Sequence, residues 1–114
     1  MSVPSSIQSL ALREASNSPA DHFKVAAVVH KGKRVYCKAH NIPRKTHPNG
    51  SGDLCTCHAE VRAVMRAKRI LNDDLDGLSI FIARKNQFGE TKPSRPCDDC
   101  MELILQNGLT PAWT

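Results

Sequence analysis

The sequence has few aromatic residues and no long hydrophobic run. Only 4% of its 114 residues are aromatic, and the longest apolar stretch, Val25 to Val29, is far too short to span a bilayer. The first residues also lack a basic segment followed by a long apolar one, which is the pattern of a secretory signal. We therefore expect a soluble protein without a membrane partner.

The cysteine content excludes a disulfide scaffold. The chain has five cysteines, an odd number, and two of them are spaced as metal ligands. This usage predicts a reducing, intracellular setting, and we expect a cytoplasmic protein. With 114 residues, the chain predicts one small domain, residues 1–114, at the low end of size for an enzyme that acts alone. We therefore expect a homo-oligomer.

The charge is unevenly distributed. The net charge of +5 and the pI near 9.1 favour anionic partners, either nucleotide phosphates or a polynucleotide backbone. One basic group contains no acidic residue and comprises Lys31, Lys33, Arg34, Lys38, Arg44 and Lys45. A second group comprises Arg84, Lys85, Lys92 and Arg95. Either group can be a solvated surface or a phosphate contact, and the sequence leaves both interpretations open.

Two short motifs contain the residues with metal chemistry, Cys57-His58-Ala59-Glu60 and Pro96-Cys97-Asp98-Asp99-Cys100. Cys97 and Cys100 are three residues apart at a predicted helix start, where unpaired backbone N–H groups favour the thiolate form. His58 adds a neutral imidazole. Three protein ligands of these types suit Zn²⁺ and leave a fourth tetrahedral position for water, which is the composition of a catalytic site.

Glu60 lies two residues after His58, beside the predicted zinc site and not needed to hold the metal. A carboxylate in this place can accept a proton from water and pass it on, so Glu60 is the predicted catalytic residue. That role needs a raised pKa, which burial provides. We therefore predict that Glu60 is buried.

These two motifs resemble the signature of the zinc nucleobase deaminases, H-x-E followed by P-C-x-x-C. The superfamily includes cytidine, deoxycytidylate and tRNA adenosine deaminases, and the resemblance covers the chain from Val25 to its end. Histidine as the first ligand is similar to the deoxycytidylate, tRNA and polynucleotide branch. The resemblance implies that Asn41, after the second predicted strand, hydrogen-bonds the substrate sugar. It also implies that the Ala59 N–H binds the pyrimidine carbonyl.

The periodicity predicts a layered α/β domain with a mixed sheet of about four to five strands and flanking helices, and the resemblance implies that this is a cytidine-deaminase-like fold. The zinc site is expected between two helix N-termini. In chain order the predicted elements are a helix over Ser6 to Ala15 capped by Ser5 or Ser6, a hairpin of Lys24 to His30 with Val35 to His40, a helix after His58, a strand over Leu78 to Ala83, a polar loop over Asn86 to Arg95, a helix ending near Gly108, and a strand from Leu109 to Thr114. The second helix is predicted to bury Val61, Val64, Met65 and Leu71 and to expose Arg62, Arg66, Lys68 and Arg69.

Relatives of this type generally continue with a further strand and helix, so we expect a minimal or C-terminally short form that depends on a neighbouring subunit to close its pocket. A second, structural zinc near Cys55 and Cys57 is an alternative to small buried thiols there, with Cys37, His40 and His47 as the other candidate ligands.

Three functions fit the sequence. The first is a zinc-dependent hydrolase that deaminates a small cytosine nucleotide such as dCMP or CMP, in nucleotide metabolism. The second is a deaminase of cytosine or adenine in single-stranded DNA, RNA or tRNA, which the shortage of aromatic residues for base stacking disfavours. The third is a non-catalytic nucleic-acid-binding module in which Cys55, Cys57, Cys97 and Cys100 hold zinc, but it leaves His58 and Glu60 unexplained.

Overall fold

The computed structural model describes residues 3–18, 23–43, 56–57, 59–72, 74–86, 88–92, 96 and 98–113. Among them it contains three helices and seven strands. In chain order these are α1 (Ser5–Ser16), β1 (Phe23–Lys31), β2 (Arg34–His40), β3 (Ile42–Pro43), β4 (Thr56–Cys57), α2 (Ala59–Ile70), β5 (Ser79–Asn86), β6 (Thr91–Lys92), α3 (Asp98–Gln106) and β7 (Thr110–Trp113). None of the described helices is long and apolar enough to cross a membrane.

The main sheet has five strands and is mixed. Its order is β2-β1-β5, and both β6 and β7 pair with the other edge of β5. The β1–β2, β1–β5 and β5–β6 pairs are antiparallel, whereas β7 runs parallel to β5. Strands β3 and β4 form a separate two-stranded ribbon. This arrangement confirms the predicted α/β fold with a mixed sheet.

The sheet is covered on both faces. Alternate residues of the central strands, Val28 and Phe81 among them, pack against α1. Their neighbours Val29, Ile80 and Ile82 lie in the larger core with residues of α2 and α3. The fold therefore has three layers, and the predicted burial of both faces of β1 is confirmed because Ala26 to Val29 are fully buried.

Gly108 follows the end of α3, where the chain needs a backbone conformation that only glycine adopts easily. Its φ is +76°, and a Cβ at this position would lie 2.7 Å from Oδ1 and 3.3 Å from Cα of Asp76. The Leu109 N–H donates to the Ile104 carbonyl at 3.2 Å across the turn. The predicted C-terminal cap is confirmed, and the tight turn sends the chain directly into β7.

Three local predictions were wrong. The N-cap of α1 is Pro4 without a side-chain hydrogen bond, so neither serine caps the helix. Met65 is 51% exposed. The buried face of α2 is formed instead by Ala63, Val64 and Ala67, and the small alanine side chains let the helix lie close to the sheet. The predicted polar loop contains strand β6, since the Asn86 side chain accepts the N–H groups of Phe88 and Glu90 at 2.9 Å and closes a hairpin turn.

Helix α2 begins beside the last residue of β2. Its Arg62 donates to the His40 carbonyl, and Arg66 donates to the Lys38 carbonyl at 2.6 Å. Because the later helix residue meets the earlier strand residue, α2 runs antiparallel to β2. Arg62, predicted to be on the solvent face, is half-buried and bonds to the backbone of an edge strand instead.

Helix α3 begins at the same end of the sheet. It leads through the Gly108 turn into β7, which is parallel to β5 and packs against α3. The helix therefore runs back along β5 and starts near the carboxyl end of that strand, where Arg84 pairs with Val25 at the beginning of β1. We call this edge, at the start of α2 and α3, the helix-start end of the sheet.

Candidate active site

The first turn of α2 places Glu60 in the protein interior. Its exposed fraction is 5%, and that of the preceding Ala59 is 0%. A helix start presents unpaired N–H groups and positive partial charge, which favours an acidic side chain there. The predicted burial of Glu60 is confirmed, whereas its part in proton transfer remains a prediction.

The first turn of α3 contributes Cys100, which is 3% exposed and lies at the helix-start end of the sheet. A buried thiol at a helix start is a donor of the type that zinc prefers. His58 and Cys97, the other two predicted ligands, lie outside the described residues. Within the described part of the chain, no group of three or more His, Cys, Asp or Glu side chains could hold a metal ion. The donor type and its position therefore fit zinc, and the complete ligand set remains a prediction.

Asn41 follows β2 and is 6% exposed. Its main-chain N–H donates to the Val25 carbonyl at 2.9 Å, and its side-chain Oδ1 accepts the Val25 N–H, also at 2.9 Å. The Ser18 hydroxyl lies 2.7 Å from the same Oδ1. These contacts hold Asn41 at the helix-start end of the sheet, close to where α2 begins, and its contact with a substrate remains a prediction.

Glu14 of α1 is a buried carboxylate that the sequence analysis missed as a functional group. Its Oε2 lies 2.6 Å from Nδ1 of His40, and its Oε1 lies 3.6 Å from Nζ of Lys38. Burial alone would raise the pKa of Glu14, but the hydrogen bond and charge of His40, the charge of Lys38 and the Asn17 amide outweigh burial and lower it. Helix α1 is thereby joined to the end of β2, directly before Asn41.

The lowered pKa predicts a loss of stability in acid. A carboxyl group with a folded-state pKa below its unfolded value stabilises the fold above about pH 4.5, and this stabilisation disappears as the pH falls through the folded-state pKa. We expect Glu14→Gln to lower the free energy of unfolding in urea at pH 7, with a difference from wild type that shrinks below pH 4.5. Glu102→Gln, at an exposed site, is the control. A pH-independent difference for Glu14→Gln would contradict the linkage.

The described members of the first basic group do not assemble at one place. Lys31, Lys33 and Arg34 are exposed around the β1–β2 turn, at the opposite end of the sheet from Glu60. Two further members, Arg44 and Lys45, lie outside the described residues. A phosphate bound near Glu60 is therefore out of reach of the turn.

The second basic group lies at the helix-start end. Arg84 and Lys92 are direct cross-strand partners in β5 and β6, and both are half-buried. The alternation along β5 puts Arg84 on the face of the sheet covered by α2 and α3. Lys85 lies on the other face, where its Nζ donates to the Ser16 hydroxyl at 2.8 Å. Among the described members of the group, Arg84 and Lys92 share a face and an end with Glu60, and Arg95 lies outside the described residues.

Two candidates for the second zinc site have other bonds. The Cys37 thiol donates to the Ala63 carbonyl at 3.3 Å, and burial raises its pKa, which favours the protonated form over the thiolate that metals bind. His40 is bonded to Glu14. The remaining candidates, His47, Cys55 and Cys57, lie at positions whose side chains are outside the described part of the structure. The contacts of Cys37 favour the interpretation of a buried thiol.

The sequence of the whole chain decides the family. The family model described as the cytidine and deoxycytidylate deaminase zinc-binding region matches residues 1–112. The chain belongs to this deaminase family. The zinc-dependent cytidine deaminase superfamily inferred from His58-Ala59-Glu60 and Pro96 to Cys100 is thereby confirmed. No curated protein sequence matches the chain significantly.

Solved structures of deaminases share the fold. The dCMP deaminase of cyanophage S-TIM5, in complex with dCMP and dUMP, is 19% identical with a TM-score of 0.59, and the match covers 99% of this chain and 86% of that one. The cytidine deaminase of Mycobacterium tuberculosis is 19% identical with a TM-score of 0.54, covering 89% and 76%. A deaminase/reductase of Thermotoga maritima, a diaminohydroxyphosphoribosylaminopyrimidine deaminase, is 22% identical with a TM-score of 0.58, covering 93% of this chain and 27% of that one.

Proposed function

We propose that the protein is a zinc-dependent hydrolytic deaminase that converts a small cytosine nucleotide, of the dCMP or CMP type, to the uracil form and releases ammonia. The observation that carries the proposal is the burial of Glu60 and Cys100 in the first turns of two helices that start at the same end of the sheet. Membership of the deaminase family and the fold shared with a phage dCMP deaminase support it.

The ligands proposed for zinc are His58, Cys97 and Cys100, and the bound ion would supply activation of water for attack on the base. Glu60 accepts the proton of the attacking water and delivers it to the ring nitrogen beside the reacting carbon. It then takes the proton of the new hydroxyl group and delivers it to the exocyclic amine, which leaves as ammonia while the carbonyl forms. A carboxylate buried in a closed site can act both as the proton acceptor and as the proton donor, because little bulk water competes for the proton.

Substrate binding is assigned to Asn41 and Ala59. The Ala59 N–H belongs to the first turn of α2, where backbone N–H groups have no partner within the helix, so it can donate to the pyrimidine carbonyl. Asn41 offers a side-chain amide held by Val25 and Ser18, so it can meet the sugar without first losing rotational freedom. Both residues lie at the helix-start end, near Glu60.

The preference for a nucleotide over a nucleoside is assigned to Arg84 and Lys92. Arg84 and Lys92 are cations directly opposite one another in the sheet, and two adjacent positive charges attract a phosphate. Both lie at the same end of the sheet as Glu60, which supports a contact with the phosphate of a nucleotide whose base meets Glu60. A sugar phosphate would thus extend from Asn41 toward the β5–β6 edge.

The proposal is tested by ammonia release from the zinc-loaded protein with dCMP, CMP, deoxycytidine, cytidine, adenosine and short single-stranded DNA and RNA. We expect turnover of dCMP or CMP, and a kcat/KM for the nucleotide well above that for its nucleoside, with a difference that shrinks as salt rises. Equal kcat/KM values for dCMP and deoxycytidine would show that Arg84 and Lys92 do not bind the phosphate of the substrate. No turnover of any cytosine compound would contradict the proposed function.

A second candidate function is deamination of a base in a single strand, and Phe88 is the observation that favours it. This ring lies in the β5–β6 turn beyond the carboxyl end of β5, and it is 76% exposed. An exposed ring beside basic residues can stack on an unpaired base. In the same assay, turnover of the oligonucleotides that falls in Phe88→Ala would support this alternative, whereas turnover of free nucleotides alone would exclude it.

A further inference from the structure

Ser18 lies in the connection between α1 and β1 and is 2% exposed. Its N–H donates to the Ala15 carbonyl at 3.0 Å, which extends the last turn of α1, and Nζ of Lys24 donates to its carbonyl at 2.8 Å. Backbone bonds on both sides therefore hold the residue in place. Its side chain reaches a residue 23 positions away.

The Ser18 hydroxyl is directed at two oxygens of Asn41. It lies 2.8 Å from the main-chain carbonyl and 2.7 Å from Oδ1. Because a hydroxyl has one proton, the two oxygens share a single donor. Oδ1 has a second donor in the Val25 N–H at 2.9 Å. A backbone N–H needs an acceptor, so this contact also settles which side of the Asn41 amide is oxygen.

We propose that Ser18 is a positioning residue that orients the Asn41 amide toward the substrate sugar. The inference rests on the proposed function, in which Asn41 binds the substrate. With Oδ1 held by Ser18 and Val25, the planar amide turns its NH₂ group to the opposite side, from which one of its two N–H groups can donate to a sugar hydroxyl. Ser18 is not proposed to touch the substrate, and its effect on substrate binding passes through the Asn41 amide.

Loss of the hydroxyl should loosen the amide. In Ser18→Ala the two Asn41 oxygens lose a donor at a site without water to replace it, since both residues are nearly fully buried. The Asn41 side chain then samples rotations in which its NH₂ group no longer faces the sugar. We expect KM for the nucleotide to rise about tenfold while kcat stays within about threefold, because Glu60 and the zinc ligands are unchanged.

The experiment compares wild type, Ser18→Ala, Ser18→Cys and Ser18→Thr, with Ser9→Ala on the exposed face of α1 as the matched control. Cysteine keeps the volume but donates weakly, so Ser18→Cys tests the hydrogen bond even where alanine impairs folding. We expect Ser18→Cys to raise KM, Ser18→Thr to restore much of the affinity, and Ser9→Ala to match wild type. In an Asn41→Ala background, Ser18→Ala should add less than twofold to KM, because the residue through which it acts is gone.

A second measurement does not depend on turnover. The side-chain NH₂ of Asn41, assigned by its absence in Asn41→Ala, should change its NMR shift and lose order in Ser18→Ala and not in Ser9→Ala. Unchanged Asn41 signals would overturn the inference while the proposed function stands. So would an increase in KM from Ser18→Ala that is equally large in the wild-type and Asn41→Ala backgrounds. A wild-type protein that deaminates no cytosine compound would overturn both, so the two failures are distinguishable.

Discussion

Replacement of Glu60 by glutamine should lower turnover by orders of magnitude and leave the protein otherwise intact. Glutamine matches the shape of the carboxylate and fits the same buried site, but it cannot accept a proton from water or return one to the leaving amine. General acid–base catalysis of this kind contributes about 10²- to 10⁴-fold, so kcat for the best cytosine nucleotide should fall by roughly that factor. The measurement is ammonia release at saturating substrate, with zinc content and circular dichroism recorded on the same samples.

Glu102→Gln is the matched control for this prediction. Glu102 is an exposed glutamate of α3, so the same chemical change there should leave kcat within about twofold of wild type. Zinc content and substrate affinity should be those of wild type in both variants, since Glu60 is not a predicted ligand. A Glu60→Gln variant that retains activity would show that the proton is carried by another group, and one that loses zinc would show that Glu60 holds the metal.

The sequence was sufficient to predict the features that depend on local patterns. A continuous apolar run predicts a strand buried on both faces, and Ala26 to Val29 are such a strand because α1 covers one face and α2 the other. Gly32, with φ +57°, lies in the predicted β1–β2 turn, since glycine adopts this conformation without strain. The buried glutamate could also be predicted, because the chemistry of a proton carrier requires burial.

Features that depend on tertiary contacts could not be predicted. Met65 has the spacing of a core residue, but the alanines of α2 turn a different face to the sheet. Nothing local shows that Ser18 meets Asn41, the residue after β2, or that Glu14 meets His40, the last residue of β2, because each partner lies more than 20 positions away. The separation of the basic groups follows from the sheet register, which places the β1–β2 turn and the β5–β6 edge at opposite ends.

Replacement of Cys100 by alanine should remove zinc and, with it, a large part of the stability. The thiol is 3% exposed in the first turn of α3, so no solvent ligand can easily take its place. Because metal that binds only the folded state adds its binding free energy to folding, zinc at 100 times its Kd stabilises by about 2.7 kcal/mol. We expect the variant to fall from about one zinc per chain to near none and to lose at least this free energy of unfolding, measured by metal analysis and urea titration.

Cys37→Ala is the control that separates the metal from the packing. It also removes a partly buried thiol, but one that donates to the Ala63 carbonyl, so it should cost only about 1 kcal/mol and leave zinc content unchanged. A chelator should lower the stability of wild type and Cys37→Ala toward that of Cys100→Ala and change Cys100→Ala little. Full zinc content in Cys100→Ala would show that Cys100 is not a zinc ligand. The metal would then not be held between the starts of α2 and α3 through this residue.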